Sequence, residues 1–278
     1  LSVTGFGQQG PMRSQPATDA ILQAFSGMMH INTGREDGLP HRLECWPIDI
    51  ASGVYAFQAL AMALYARKET GRGRYIDASL LQGGAGLQAV RILDHVITRG
   101  ASVGAGAFPV GTFRTQDGWI NLSVLKDSLW QPFCGVIGRP DLGADPALAL
   151  LAGRKARAAE ILAAANAALA RNTSAYWCEQ MRAAGILNER VNDYDALLGH
   201  PQTAVNGTFS WVEQPAVGRV PHPNVPGPQP LAEGDARARA PRIREHTRAG
   251  LPAIGYSEDD IARLVDAAVV FEPPAASR

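Results

Sequence analysis

Trp46-Pro47-Ile48-Asp49-Ile50-Ala51-Ser52-Gly53, with the apolar run that follows to Tyr65, decides the reading of this chain. Proline lacks the N–H and clashes with the preceding turn inside a helix, so the spacing predicts a helix that begins after Pro47. Asp49 then falls where an N-cap is wanted. Val54, Phe57, Leu60, Ala61 and Leu64 follow at helical spacing. Arg67 and Lys68 suit the last turn, and Gly71 suits its end. Arg74-Tyr75-Ile76-Asp77 then reads as a short strand running into another helix from about Ser79 to Thr98. Asp49 is therefore expected on a loop at a helix N-terminus, inside a helix–loop–strand unit.

The preceding segments fit an α/β arrangement. Residues 1 to about 9 read as a strand ending in a glycine turn, and Asp19 to about Met29 as a helix with Ile21, Leu22, Phe25 and Met28 in step. Asn32 to Leu43 is polar and loop-like. Alternation of helix and strand favours a layered domain with parallel strands. Further on, Gly100-Ala101-Ser102-Val103-Gly104-Ala105-Gly106 breaks the pattern and reads as a linker or a mobile lid. Phe113 to Val124 alternates as a hairpin, with Asp117-Gly118 as its turn. Leu129–Ile137, Arg154–Arg171 and Ser174–Ala184 read as helices, the second turning Ile161, Leu162 and Leu169 inward and the third capped by Thr173 or Ser174. Proline-dense 215–230 reads as an extended connector, excluded from helix and inner strand. Glu258 to Ala268 reads as a last helix, and 273–278 as a disordered tail. The division expected is 1–105, the C-terminal part of a large domain; 106–214, a small α/β domain; and 215–278, a connector returning to the large domain.

Composition narrows the partners. Of 278 residues, Lys and Arg number 26 and Asp and Glu number 26, so no basic excess points to nucleic acid or an acidic membrane. The apolar run from Val54 to Tyr65, about a dozen residues, is too short to span a bilayer, so no membrane partner is expected. Cys45, Cys134 and Cys178 form neither a disulfide framework nor a metal-ligand spacing, which favours a reducing cytoplasm. Cys45 reads as a buried structural thiol. His30, His41, His95, His200, His222 and His246 show no ligand pair, so no metal is expected.

Residue by residue, the chain resembles the family III CoA-transferases, which include formyl-CoA and carnitine CoA-transferases and alpha-methylacyl-CoA racemases. Asp49 through Glu69-Thr70-Gly71-Arg72-Gly73-Arg74-Tyr75-Ile76-Asp77-Ala78-Ser79-Leu80-Leu81 is similar to the family's central signature. Val3-Thr4-Gly5-Phe6-Gly7-Gln8-Gln9-Gly10-Pro11 resembles its opening turn, and Thr18-Asp19-Ala20-Ile21-Leu22-Gln23-Ala24-Phe25-Ser26-Gly27 its D-x-x-x-Q-A helix. Gly111 to Ile120 resembles the hairpin of the small domain, and Glu245-His246-Thr247 with Gly255-Tyr256 the family's close. Leu187 stands where the family carries proline and Arg244 where it carries glycine, which leaves substrate choice open.

The resemblance implies a Rossmann-like large domain plus a smaller α/β domain, in an interlocked homodimer. It implies CoA transfer between an acyl-CoA and a small carboxylic acid, with Asp49 as nucleophile and Asp19 in a supporting role or as an N-cap. Coenzyme A is the group handled, and Arg72 and Arg74 are candidates for its phosphates. Backbone N–H groups at the helix start are candidates for holding an oxyanion. In the racemase branch a histidine precedes the acidic residue of the D-x-x-x-Q-A helix. Thr18 stands there in this chain and cannot exchange a proton at an alpha carbon near neutral pH, which favours transferase over racemase. The resemblance lacks the family's first portion, so the chain is expected to be a fragment or a truncated member, and a catalytically inactive remnant is the rival reading.

Overall fold

A computed structural model describes residues 1–32, 38–100, 106–215, 217–232 and 234–273. The chain divides into two units, Leu1–Gly106 and Ala107–Arg278. Each is α/β.

In the first unit, β1 (Ser2–Thr4) and β2 (Asp77–Ser79) pair in parallel, Val3 facing Ala78. Between them in sequence lie α1 (Asp19–Phe25), α2 (Met28–Ile31) and α3 (Pro47–Thr70); α4 (Leu80–Leu87) and α5 (Ala89–Ile97) follow. The helix expected from Asp19 to Met29 is broken because Gly27 turns left-handed at φ 85°. The helix expected from Ser79 to Thr98 is likewise two. It breaks at Gln88, where the backbone leaves helical geometry and the N–H donates to Ala85 O, while the side-chain amide donates to Ser26 Oγ and Gly84 O, both at 3.0 Å. Ser79 and Gln82 close a capping box at the start of α4.

Helix α3 differs from its sequence reading in three ways. It begins at Pro47 itself, because a proline at the first helical position forgoes an N–H that would be unpaired anyway. Asp49 is therefore the third helical residue, not the N-cap. Second, its packed stripe is Ile48, Ser52 and Ala56, while Val54, Phe57, Leu60 and Leu64 face outward. Small residues are needed there because α4 crosses closely: a Cβ on Gly83 would lie 2.0 Å from Ser52 Oγ. Third, the helix runs 24 residues, well beyond the apolar core of the run. It is long and apolar enough, by length and composition, to cross a bilayer, which corrects the reading that the run is too short.

The second unit carries a three-stranded antiparallel sheet of β3 (Val110–Arg114), β4 (Trp119–Ser123) and β5 (Leu187–Arg190), in that order. Its inner face presents Phe113, Ile120 and Leu122, the period of two expected of a half-buried sheet. The turn falls one residue earlier than expected, with Gln116 and Asp117 at its centre and Thr115 N–H donating to Gly118 O at 2.9 Å. Against the sheet pack α6 (Trp130–Val136), α7 (Pro140–Ala144), α8 (Leu151–Ala156), α9 (Ala158–Leu169) and α10 (Ser174–Ala183), closing one continuous core around Trp130, Phe133, Ile161, Leu169 and Met181. Arg154 is buried at its edge. Its guanidinium donates to Phe108 O, Leu148 O and Ala149 O at 2.9–3.1 Å, pairs with Asp127 and lies over the Trp130 ring. Such a charge is tolerated only because every side of it is answered.

After β5 come α11 (Tyr194–Leu198), α12 (Pro201–Val205), a hairpin of β6 (Phe209–Gln214) and β7 (Gly218–Pro223), α13 (Thr247–Gly250) and α14 (Glu258–Asp266). Within the proline-dense segment, 218–223 is thus extended and paired. In a two-stranded sheet both strands are edges, where Pro221 and Pro223 deprive no inner ladder of a donor. Residues 101–105 of the glycine-rich stretch and 274–278 of the tail lie outside the described residues.

Candidate functional site

The start of α3 is the meeting point of the two carboxylates singled out in sequence. Asp19, the first residue of α1, is 2% exposed. Its Oδ2 accepts the N–H groups of Ile48 at 2.8 Å and Asp49 at 3.0 Å. Its Oδ1 accepts from Gln23 Nε2, one helical turn on. Asp19 is thus a cap, but of α3 across 29 residues of chain, not of its own helix. Trp46, the residue in the N-cap position of α3, provides no side-chain cap and sits left-handed at φ 49°. A non-glycine residue there costs of order 1 kcal/mol, and such strain clusters at functional sites.

This division of labour frees Asp49. No hydrogen bond to its carboxylate is found among the described residues, and the residue is exposed. It lines a cavity of about 360 Å³ with Thr18, Asp19, Gln23, Arg42, Glu44 and Trp46. Its carboxyl is raised above the ordinary carboxylate range, first by loss of solvent around it and second by the charge of Asp19. The Asp49 carboxylate is thus open to the cavity and is not consumed as a helix cap.

The backbone around it is less available than the sequence suggests. Pro47 has no N–H, those of Ile48 and Asp49 are held by Asp19, and that of Ile50 donates to Trp46 O at 3.1 Å. The first turn of α3 therefore has no idle donor for an oxyanion, correcting the expectation that it supplies one.

The loop over the cavity is fixed by amide pairing. Gln23 donates to Leu43 O at 2.9 Å and accepts from Leu43 N at 2.8 Å, acting as a strand partner would. Asn32 holds His41, two residues before Leu43, its side chain donating to His41 O and its O accepting from His41 N–H. Cys45, on this loop, is exposed, against the expectation of a buried thiol; its neighbours Glu44 and Trp46 are exposed with it because the loop runs over the surface. Cys134 and Cys178 are buried. Burial pushes the Cys134 thiol up to about 12.

Arg72 and Arg74 are not brought to this cavity. Both are exposed, follow the far end of α3 in the chain, and are absent from the lining of this cavity. Sequence reasoning gave no role to Gln23, Arg42, Glu44 or Trp46. The first was readable from its four-residue spacing to Asp19. The others depend on how the loop before Pro47 folds back, which no local pattern encodes. Among the described residues, no group of three His, Cys, Asp or Glu side chains is placed to hold a metal ion.

The chain belongs to CoA-transferase family III, whose family model matches residues 1–247. Acetyl-CoA:oxalate CoA-transferase of Acetobacter aceti is 33% identical over 73% of this chain and 54% of its own length. Succinyl-CoA:glutarate CoA-transferase of Mus musculus is 28% identical over 97% of this chain and 63% of its own. This chain thus spans little more than half to under two thirds of these relatives. Among solved structures, Rv3272 of Mycobacterium tuberculosis superposes with a TM-score of 0.70 at 28% identity, covering 81% of this chain and 61% of that one. A CAIB/BAIF family protein of Brucella suis shares the fold, with a TM-score of 0.75 at 23% identity over 91% of this chain and 66% of that one.

Proposed function

We propose that this chain carries the nucleophile of a CoA-transferase, with Asp49 as the group that takes and passes on the acyl-CoA. The observation that carries the reading is the unbonded Asp49 carboxylate at the head of α3, opened because Asp19 caps the helix in its place. An Asp49 oxygen attacks the thioester carbonyl and expels the CoA thiolate, leaving a mixed anhydride. The thiolate attacks the aspartyl carbonyl, releasing the donor acid and forming an aspartyl-CoA thioester. The acceptor carboxylate attacks that carbonyl and again expels the thiolate. The thiolate then attacks the acceptor's acyl carbonyl, giving the new acyl-CoA and restoring the Asp49 carboxylate. Each displacement is easier than direct exchange between two acids.

Asp19 is a positioning residue that fixes the turn carrying Asp49, and its charge adds to the loss of solvent that raises the Asp49 carboxyl. The site comprises these two with Gln23, and leaves out Arg72 and Arg74. Relatives named for transfer to oxalate and to glutarate support small carboxylic acids as acceptors. Thr18 lining the cavity, where a racemase has histidine, supports transfer over epimerisation. We further propose a cytoplasmic homodimer, supported by three free thiols and by the outward apolar faces of α3 and α5. Light scattering tests the dimer: a monomer contradicts it.

The functional test is transfer of CoA from acetyl-CoA or succinyl-CoA to a panel of mono- and dicarboxylic acids, with Asp49→Ala in parallel. Transfer by the parent and none by the variant is expected. No transfer to any acid, with the fold intact, favours the inactive reading.

A further inference from the structure

We propose that Arg42 anchors the distal carboxylate of a dicarboxylic acid acceptor, a specificity role that rests on Asp49 being the site of transfer. Arg42 lines the cavity with Asp49. Its Nε and Nη2 form a two-pronged contact with the two oxygens of Glu44, both at 2.9 Å. That fork is the geometry with which a guanidinium receives a carboxylate. Both side chains are largely exposed, at 53% and 75%. An exposed pair of this kind contributes about 0–1 kcal/mol, so exchanging Glu44 for an incoming carboxylate costs little.

The backbone on either side is pinned while the side chain is not. His41 is tied to Asn32 through both backbone groups, and Leu43 is tied to Gln23 through both of its own. Arg42 therefore projects from a fixed point, and among the described residues its side chain pairs at the surface with Glu44 alone.

Charge gives the arrangement its selectivity. Among the described residues lining the cavity stand three carboxylates, Asp19, Glu44 and Asp49, and one cation, Arg42. A monocarboxylic acceptor spends its single charge at Asp49. A dicarboxylic acceptor keeps a second charge that meets only repulsion unless Arg42 receives it. A CoA phosphate on Arg42 is the competing source of anionic oxygen, but it holds the thioester a pantetheine arm away from a cavity that Asp49 shares.

Calorimetric titration with glutarate, butyrate and CoA, on the parent chain, Arg42→Gln, Arg42→Lys and Glu44→Gln, tests this without turnover. Glutarate is expected to bind the parent about tenfold more tightly than butyrate, roughly 1.4 kcal/mol. Arg42→Gln is expected to erase that advantage, Arg42→Lys to keep part of it, and Glu44→Gln to enlarge it. Equal binding of glutarate and butyrate to the parent overturns the proposal. So does a loss in Arg42→Gln that is shared by butyrate or confined to CoA. Trapping of an acyl adduct on Asp49 separates the two readings. Glutarate selectivity without an adduct sinks the transfer reading alone. An adduct without glutarate selectivity sinks the Arg42 role alone.

Discussion

The two units solve the problem of apolar surface in opposite ways. In the second, one buried cluster runs from Phe113 to Ile186 and takes in Trp130, Phe133, Leu148, Ile161 and Met181. In the first, the buried cluster is Leu22, Met28 and Ile48. The large side chains of α3 and α5 stay outside it: Phe57 is 72% exposed, and Val54, Tyr65, Val90, Val96 and Ile97 are exposed with it. An exposed apolar face of this kind supports the dimer proposed above. The comparison teaches that the second unit is held by its own packing. The first is organised by polar joints: Asp19 on the head of α3, Gln23 on the cavity loop, Gln88 on the end of α1. The candidate site sits on those joints, at the one end of α3 where the apolar stripe gives way to carboxylates.

The largest expected effect breaks function without breaking either unit. Asp49→Ala abolishes transfer without lowering the thermal midpoint, because the carboxylate holds nothing in the fold; calorimetry and the transfer assay read the two together. Next come losses in the closed core. Phe133→Ala is expected to cost about 3–5 kcal/mol by emptying a fully buried ring site. Arg154→Met is expected to cost a similar amount or less, since it leaves the Phe108, Leu148 and Ala149 carbonyls without their donor but also removes a buried charge. Denaturant midpoints check both, and a loss under about 1 kcal/mol for Phe133→Ala contradicts the closed core.

Asp19→Asn is expected to lower stability by about 1–2 kcal/mol, the loss of a charged cap at the head of α3, and to slow transfer by displacing Asp49. A smaller, signed effect follows from pH. The folded carboxyl of Asp49 is raised, so its ionisation opposes folding above that value and the opposition vanishes on acidification. Transfer, which needs the ionised form, falls off at a higher pH than a free aspartate dictates. Asp117 shifts the other way. Ser174 N–H and Oγ at 2.7 and 2.9 Å hold its carboxyl below the usual range. Its contribution is full above the unfolded value of about 3.9 and is lost as pH falls through the folded one. An acid titration of stability therefore weakens the second unit through Asp117 while relieving the first at Asp49. Asp117→Asn should flatten the former. The smallest effect expected is Phe57→Ser, within about 0.5 kcal/mol of the parent chain, because the ring is already in solvent. A larger loss means that this face is buried in the assembled protein.

Much of this was legible in the sequence, and unevenly. The hairpin of β3 and β4, the capped α10 and the inward Ile161 and Leu169 follow from period and cap chemistry, which are local. The parallel pairing of β1 with β2 follows from the alternation of elements. The head of α3 did not, because Asp19 serves a helix that begins 28 residues later, and a cap supplied from another element leaves no local trace. The outward faces of α3 were missed for a related reason. Apolar spacing states which residues share a face, but the close crossing at Gly83 decides which face is packed. Arg244, which the resemblance sets where the family carries glycine, is left-handed at φ 70° and lies over the Phe271 ring. The ring contact offsets part of the strain.

The central claim is that Asp49 forms the covalent intermediate. Its most direct test is mass spectrometry of the chain incubated with acyl-CoA donors and quenched with hydroxylamine or borohydride. Modification on the peptide carrying Asp49, absent in Asp49→Ala and retained at a reduced level in Asp19→Asn, is the predicted result. An adduct on any other residue, or transfer that persists in Asp49→Ala, contradicts it.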